Sequence, residues 1–153
     1  MEILADPYIK NYTIASYDLT KPWGGYYCVA DSDIDRFIAE YFPTIHIDTD
    51  LPMSPKILII NPNSRLSWQY HNRRKELWSV LKGPVGYVCS YDDTETEMRI
   101  AETGYIMIVD NEERHRLVGL DDYAIVAEIW CHVNQSYLSD ENDIVRLQDD
   151  YQR

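Results

Sequence analysis

Cysteine is scarce and poorly spaced for cross-linking. The chain of 153 residues holds three, Cys28, Cys89 and Cys131, odd in number and with no CxxC pair. A disulfide scaffold is therefore excluded, and the three fit a reduced, cytoplasmic protein as core fillers rather than nucleophiles. No apolar run approaches the length needed to cross a bilayer. The start, MEILADPYIK, lacks the basic and apolar regions of a signal peptide. Basic residues are few, 14 Lys and Arg against 26 Asp and Glu, for a net charge of −12. An acidic body argues against nucleic acid and anionic membrane surfaces as partners. Internal repeats, low-complexity tracts, a glycine-rich phosphate loop, a Walker motif and a GxSxG elbow are all absent, so NTPase and serine hydrolase readings have no support.

What is present fits one domain with a core of its own. Charge is unevenly spread. From Lys56 to Arg116 nine basic residues balance nine acidic ones, while 1–55 and 117–153 carry −6 each. The neutral middle leaves room for a locally basic pocket that holds a small anion. The stretch DSDIDRFIAEYF reads as a helix, with Ile34, Phe37, Ile38, Tyr41 and Phe42 at helical spacing, Asp31 or Ser32 as its N-cap and Pro43 beyond its end. After it the pattern becomes short strand-like runs divided by turn residues: KILII, RLSWQYH, ELWSVL, VGYVCSY, EMRIA, YIMIV, RHRLV and YAIVAEIW. Such a series without helices between its members predicts an antiparallel sandwich or barrel. Ile144, Leu147 and Tyr151 recur at helical spacing in the tail, predicting a closing helix or turn.

The stretch SWQYHNRRKELW concentrates the chemistry. On a strand Ser67, Gln69 and His71 share one face. A hairpin closed at NRRK would set Glu76 near His71, with Glu76, Trp78 and Val80 on one face. An imidazole, a carboxamide oxygen and a carboxylate would then converge, and one more histidine would complete a mixed nitrogen–oxygen site for zinc, manganese, iron, cobalt or nickel. Of the four histidines, His46, His71, His115 and His132, His115 follows the strand YIMIV and is within reach of a neighbouring strand. The plainer reading is a hydrogen-bonded strand histidine, with Glu76 a turn carboxylate paired to Arg73 or Arg74.

Residues 21–153 resemble the cupin domain of type II phosphomannose isomerases, often the C-terminal part of a bifunctional mannose-1-phosphate guanylyltransferase/mannose-6-phosphate isomerase. KPWGGY (21–26) is similar to the family's opening Arg/Lys-Pro-Trp-Gly-x-Tyr. KILIINPNSRLSWQYHNRRKELWSVLKG (56–83) follows its K-x-x-x-x-x-P-G-x-x-L-S-L-Q-x-H-x-x-R-x-E-x-W-x-V-x-x-G. GYIMIVDNEERHRL (104–117) resembles the second cupin motif, and EIWCHVNQSYLSDENDIVRLQDDYQR resembles the closing segment. Histidines common in the family are replaced by Asn72, Arg73 and Leu77, and the second motif's Pro-x-Gly by Asp110-Asn111-Glu112.

The resemblance implies an all-β single cupin (jelly-roll) barrel over 21–153, with short helices at its ends and 1–20 as an N-terminal extension. It puts the metal ligands on Gln69, His71, Glu76 and His115, zinc first among the candidate ions, and nominates Lys56, Arg146 and Arg153 for the phosphosugar. The implied reaction is a metal-dependent aldose–ketose isomerisation of a sugar phosphate, most simply mannose 6-phosphate to fructose 6-phosphate through an enediol. Lys56, with a pKa lowered by desolvation, or Glu128 would be the base. Arg146 and Arg74 would clamp the phosphate, and Trp78 would line the sugar pocket. The rival is a non-catalytic cupin that binds metal and sugar phosphate. A homodimer through sheet edges is compatible with the architecture, and any nucleotidyltransferase of the same pathway would be a separate polypeptide.

Overall fold

The computed structural model describes residues 2–153. Helix α1 (Glu2–Ile9) precedes strands β1 (Ile14–Lys21) and β2 (Gly24–Val29). A 3-10 turn, Asp31–Asp33, leads into helix α2 (Ile34–Tyr41). Irregular chain then reaches β3 (Lys56–Ile60), β4 (Trp68–Tyr70), β5 (Arg74–Lys82), β6 (Val85–Ser90) and β7 (Arg99–Ala101). The series ends with β8 (Ile106–Val109), β9 (Arg114–Val118), β10 (Ala124–His132) and β11 (Val145–Gln148). Every strand-like run from KILII to YAIVAEIW forms a strand.

The strands make two antiparallel sheets, one ordered β1-β2-β3-β10-β5-β8 and the other β11-β4-β9-β6-β7. This is the jelly roll, two sheets closed face to face around a hollow. Alternation along β3 divides its side chains between two cores. Ile57 and Ile59 join Phe37, Tyr41, Phe42, Ile125, Ala127 and Ile129 outside the six-stranded sheet. Leu58 and Ile60 join Trp78, Val80, Leu117, Ala124 and Val126 inside the barrel. Both faces of β3 and β10 are thus covered, which is why KILII and YAIVAEIW read as unbroken apolar runs rather than as alternating ones.

The outer core depends on the two helices. Ala5, Phe37 and Tyr41 are buried, and Phe37 meets Tyr41 edge to face with centroids 5.1 Å apart. The start of α2 departs from expectation, since Asp31 and Ser32 lie in the 3-10 turn and α2 is capped by Asp33 without a side-chain bond. The Asp33 carboxylate instead accepts from the Thr13 N–H at 2.6 Å.

Two further differences bear on the site. The tail is a strand and not a helix: β11 pairs with β4, matching Val145 with Tyr70 and Arg146 with Gln69. The hairpin expected at NRRK is absent as well. β4 belongs to the five-stranded sheet and β5 to the six-stranded one, so residues 71–73 turn a corner between sheets. Both strands still aim the same side chains inward, because the corner keeps their concave faces towards the hollow.

Gly24, in the KPWGGY stretch, has φ +143°, and a Cβ there would lie 1.9 Å from the Ile59 carbonyl oxygen. No other residue fits where β2 starts beside β3.

Candidate metal centre and cavity

His71, Glu76 and His115 meet inside the barrel with their ligand atoms within 4.8 Å of one another, and all three are buried. His71 ends β4's run at the corner, Glu76 lies on β5, and His115 on β9 stands directly opposite Gln69 on β4. His71 Nε2 is 3.0 Å from Glu76 Oε1, and His115 Nε2 is 3.4 Å from Oε2. The ring tautomers follow from the far side. His71 Nδ1 donates to the Asp143 carbonyl at 2.6 Å, and His115 Nδ1 to the Glu113 carbonyl at 2.8 Å. With the proton held at Nδ1, a neutral ring points its Nε2 lone pair at the carboxylate.

That arrangement suits a cation. Two lone pairs facing two carboxylate oxygens repel; Arg74 Nη2, 3.3 Å from His71 Nε2, answers one of them, but His115 Nε2 is buried without a hydrogen-bond partner. Burial alone would raise the Glu76 carboxyl, but His71 and His115 outweigh it and hold it well below the usual carboxylate range. Burial likewise pulls His115 down, and Glu76 reverses the shift upward. Both directions favour positive charge beside Glu76. Nδ1 bonds to backbone carbonyls are also the outer-shell support that fixes histidine ligands. The donor set, two imidazoles and a carboxylate, matches a borderline divalent ion. Gln69 lines the cavity above, its amide oxygen accepting from the buried Ser67 hydroxyl.

Arg74 is built into this centre. Its guanidinium donates to Glu76 Oε1 at 3.1 Å, to Ser139 Oγ at 2.9 Å and to the Asp140 carbonyl at 3.0 Å, and stacks on Trp130 with its central carbon 3.5 Å from the ring centroid. With these bonds it acts on Glu76 and the 139–140 segment, while its side chain still lines the cavity.

Above the cluster opens a cavity of about 180 Å³ lined by Lys56, Gln69, Arg74, Glu76, Glu128, Trp130, Arg146 and Arg153, among others. It brings together every residue nominated from the sequence except His71, His115 and Trp78. Trp78 lies beneath it, 1% exposed, with its ring edge-on to His115 and its Nε1 donating to Glu128 Oε2 at 3.1 Å. Trp130 Nε1 donates to the other Glu128 oxygen at 3.3 Å. Burial, followed by the nearby Glu76 charge, pushes the Glu128 carboxyl up to about 7.

Lys56 faces inward as its alternation with Leu58 and Ile60 requires, over the Trp130 ring at 4.5 Å. Its pKa moves opposite to the expected lowering. Burial pulls it down, but Glu128 and Glu141 outweigh burial and the pKa is raised, so Lys56 stands as an ammonium. Arg153 is tied to Asp149 at 2.9 Å. Arg146, opposite Gln69, makes no hydrogen bond or ion pair among the described residues. Lys21 and Glu141 also line the cavity and were not singled out in the sequence. Lys21 opens the KPWGGY motif and Glu141 lies in the closing segment, so a signal was available for both.

The replacements at Asn72, Arg73 and Leu77 are dispersed. Leu77 points away from Glu76 into the outer core with Phe37 and Ile129. Arg73 stacks on Tyr137 with its central carbon 3.8 Å from the ring centroid, and Asn72 is exposed.

A family model described as mannose-6-phosphate isomerase C-terminal matches residues 10–149. Alginate biosynthesis protein AlgA of Pseudomonas aeruginosa is 31% identical over 136 residues, covering 89% of this chain but 23% of that protein, so the chain spans about a quarter of this relative. An arginine-to-alanine mutant of Bacillus subtilis oxalate decarboxylase superposes on 86% of this chain and 30% of its own, with TM-score 0.61 and 11% identity. A cupin 2 conserved barrel domain protein from Salinispora arenicola covers 78% of this chain and 83% of its own, with TM-score 0.52 and 16% identity. These structural likenesses speak for the barrel alone, but the family match runs through both motifs that carry the buried cluster: the chain belongs to the mannose-6-phosphate isomerase C-terminal family, on a single cupin barrel.

Proposed function

We propose that the protein is a metal-dependent aldose–ketose isomerase of a sugar phosphate, most simply interconverting mannose 6-phosphate and fructose 6-phosphate. The observation that carries this reading is the His71–Glu76–His115 cluster at the floor of a cavity whose wall holds Glu128 and an unpaired Arg146. Isomerisation needs a cation for a developing oxyanion, a base near the substrate carbon, and an anchor for the phosphate. The cavity has a candidate for each.

His71, Glu76 and His115 would hold a divalent ion, zinc first and cobalt, manganese, nickel or iron as alternatives, with Gln69 as a fourth, neutral ligand. When bound, such an ion supplies a Lewis acid to the substrate oxygen that becomes negative.

Glu128 is the base this reading favours. Its carboxylate takes a proton from the carbon beside the carbonyl and returns it to the neighbouring carbon. A pKa near the working pH suits both transfers, and an indole N–H donates to each of its oxygens. Lys56 stands as an ammonium and is not the base. Arg146 binds the phosphate as a planar fork, its donors uncommitted. Arg74 keeps Glu76 oriented. The indoles and the buried floor exclude water from one side of the sugar.

The rival, a binding module that has lost catalysis, drew on the replaced histidines. Leu77 lies on the opposite face of β5 from Glu76, so that replacement gives it no support. The deciding experiment loads the protein with zinc, cobalt or manganese and follows fructose 6-phosphate formation from mannose 6-phosphate. Turnover that needs the metal supports the isomerase. Binding of mannose 6-phosphate without turnover by any loaded form contradicts it.

A further inference from the structure

Lys56 is buried, yet its hydrogen-bonding partner comes from outside. Its Nζ is 3.0 Å from Oε1 of Glu141, whose side chain is 76% exposed while that of Lys56 is 9% exposed. Glu141 makes no other hydrogen bond or ion pair among the described residues. The chain on either side of it is pinned. Ser139 donates its N–H to His132 Nδ1 and its hydroxyl to Asp143, and accepts from Arg74. Asp143 accepts from the N–H groups of Asn72 and Arg73 and, through its carbonyl, from His71. The Glu141 side chain can therefore leave Lys56 by rotating into water, with the segment around it unmoved.

Glu141 also lines the cavity together with Arg146 and Arg153. An anion in the cavity faces both the Arg146 guanidinium, unpaired among the described residues, and the carboxylate that covers Lys56. Only the ammonium end of the pair is buried, so the released carboxylate is hydrated at once and the phosphate takes its place on Lys56. A neutral sugar offers Lys56 hydroxyl oxygens but no charge in exchange. A phosphate supplies it.

We propose that Glu141 is a displaceable internal anion, covering the Lys56 ammonium until the phosphate of the substrate replaces it, and so holds affinity for the phosphorylated ligand below what Lys56 and Arg146 would otherwise give. This rests on the sugar-phosphate reading of the cavity. The exchange is non-covalent: one carboxylate–ammonium bond gives way to one phosphate–ammonium bond. Its cost to the phosphorylated ligand is the strength of the Glu141 pair, and removing that pair should tighten phosphate binding.

The test uses metal-loaded protein and calorimetric titration with 1,5-anhydromannitol 6-phosphate, which has no carbonyl and cannot isomerise, and with its unphosphorylated parent. Wild type, Glu141→Gln and Arg146→Gln are compared after thermal melts confirm folding. Glu141→Gln should bind the phosphorylated ligand roughly two- to fivefold tighter, the span of an ion pair whose carboxylate is exposed, and the parent ligand unchanged. Arg146→Gln should bind the phosphorylated ligand more weakly. Arg146-dependent phosphate binding that is equal or weaker in Glu141→Gln overturns the displacement proposal alone. No preference for the phosphorylated ligand in either wild type or Glu141→Gln overturns the sugar-phosphate reading along with it.

Discussion

His71 and Glu76 face each other across a corner where the chain passes from one sheet to the other, with Nε2 3.0 Å from Oε1. Five residues apart in sequence, they would be expected to meet through a hairpin. They meet instead because two sheets close over one hollow and both residues point into it. The centre is thus a product of the barrel and depends on the segments that hold the corner in place.

Asp143 holds that corner. Its carbonyl receives the His71 Nδ1 proton while its carboxylate caps the N–H groups of Asn72 and Arg73. Asp143→Asn should cost about 1–3 kcal/mol, since one cap loses its acceptor, and should lower metal affinity through His71. Burial pushes the Asp143 carboxyl up, but the bonds from Ser139, Asn72 and Arg73 outweigh it, and its pKa is lowered. Its stabilisation is then present above the unfolded value of about 3.9 and is lost as pH falls through the lower folded one. Thermal melts across pH 5 to about 2 should show a steeper loss in wild type than in Asp143→Asn.

Glu128 carries the opposite sign. Burial and the Glu76 charge raise its carboxyl to about 7. A raised carboxyl contributes stability fully below the unfolded value of about 4.3 and loses it as pH rises through about 7. Glu128→Gln, neutral throughout, should gain melting temperature over metal-free wild type at pH 8 but not at pH 4. Its kcat should fall by roughly 10²–10⁴ if it is the base. A variant with near-normal turnover would remove it from that role.

Leu77 tests whether a replaced family histidine matters to the centre. It is 4% exposed and packs in the outer core, with its backbone opposite Ile129 and Ile108. Leu77→Ala should cost about 2–5 kcal/mol with metal content unchanged. Loss of metal at full stability would show that the two faces of β5 are not independent.

How much of this was legible in the sequence depends on what each segment packs against. The eight runs from KILII onward announced their strands because their apolar residues face a core on one or both sides. β1 (IASYDLTK) did not, since an edge strand with exposed residues has no strong pattern. α1 carries Pro7 inside it and turns only a short buried face, led by Ala5, to the sheet. The tail misled: Ile144, Leu147 and Tyr151 mimic helical spacing, but β11 is fixed by pairing with β4, a long-range contact invisible to local periodicity. In the site, the convergence of His71, Glu76 and His115 was readable because motif and alternation agreed, with Gln69 lining the cavity above. The polarity of Lys56 was not, because its charge depends on Glu128 and Glu141, brought beside it from β10 and the segment before β11.

The most direct test is cobalt titration of the metal-free protein, read by absorption and elemental analysis, in wild type, His71→Ala and Glu76→Gln. One cobalt per chain in wild type, in a nitrogen–oxygen environment, with binding weakened at least about tenfold in both variants, is the predicted result. Wild-type stoichiometry and an unaltered spectrum in both variants would contradict it.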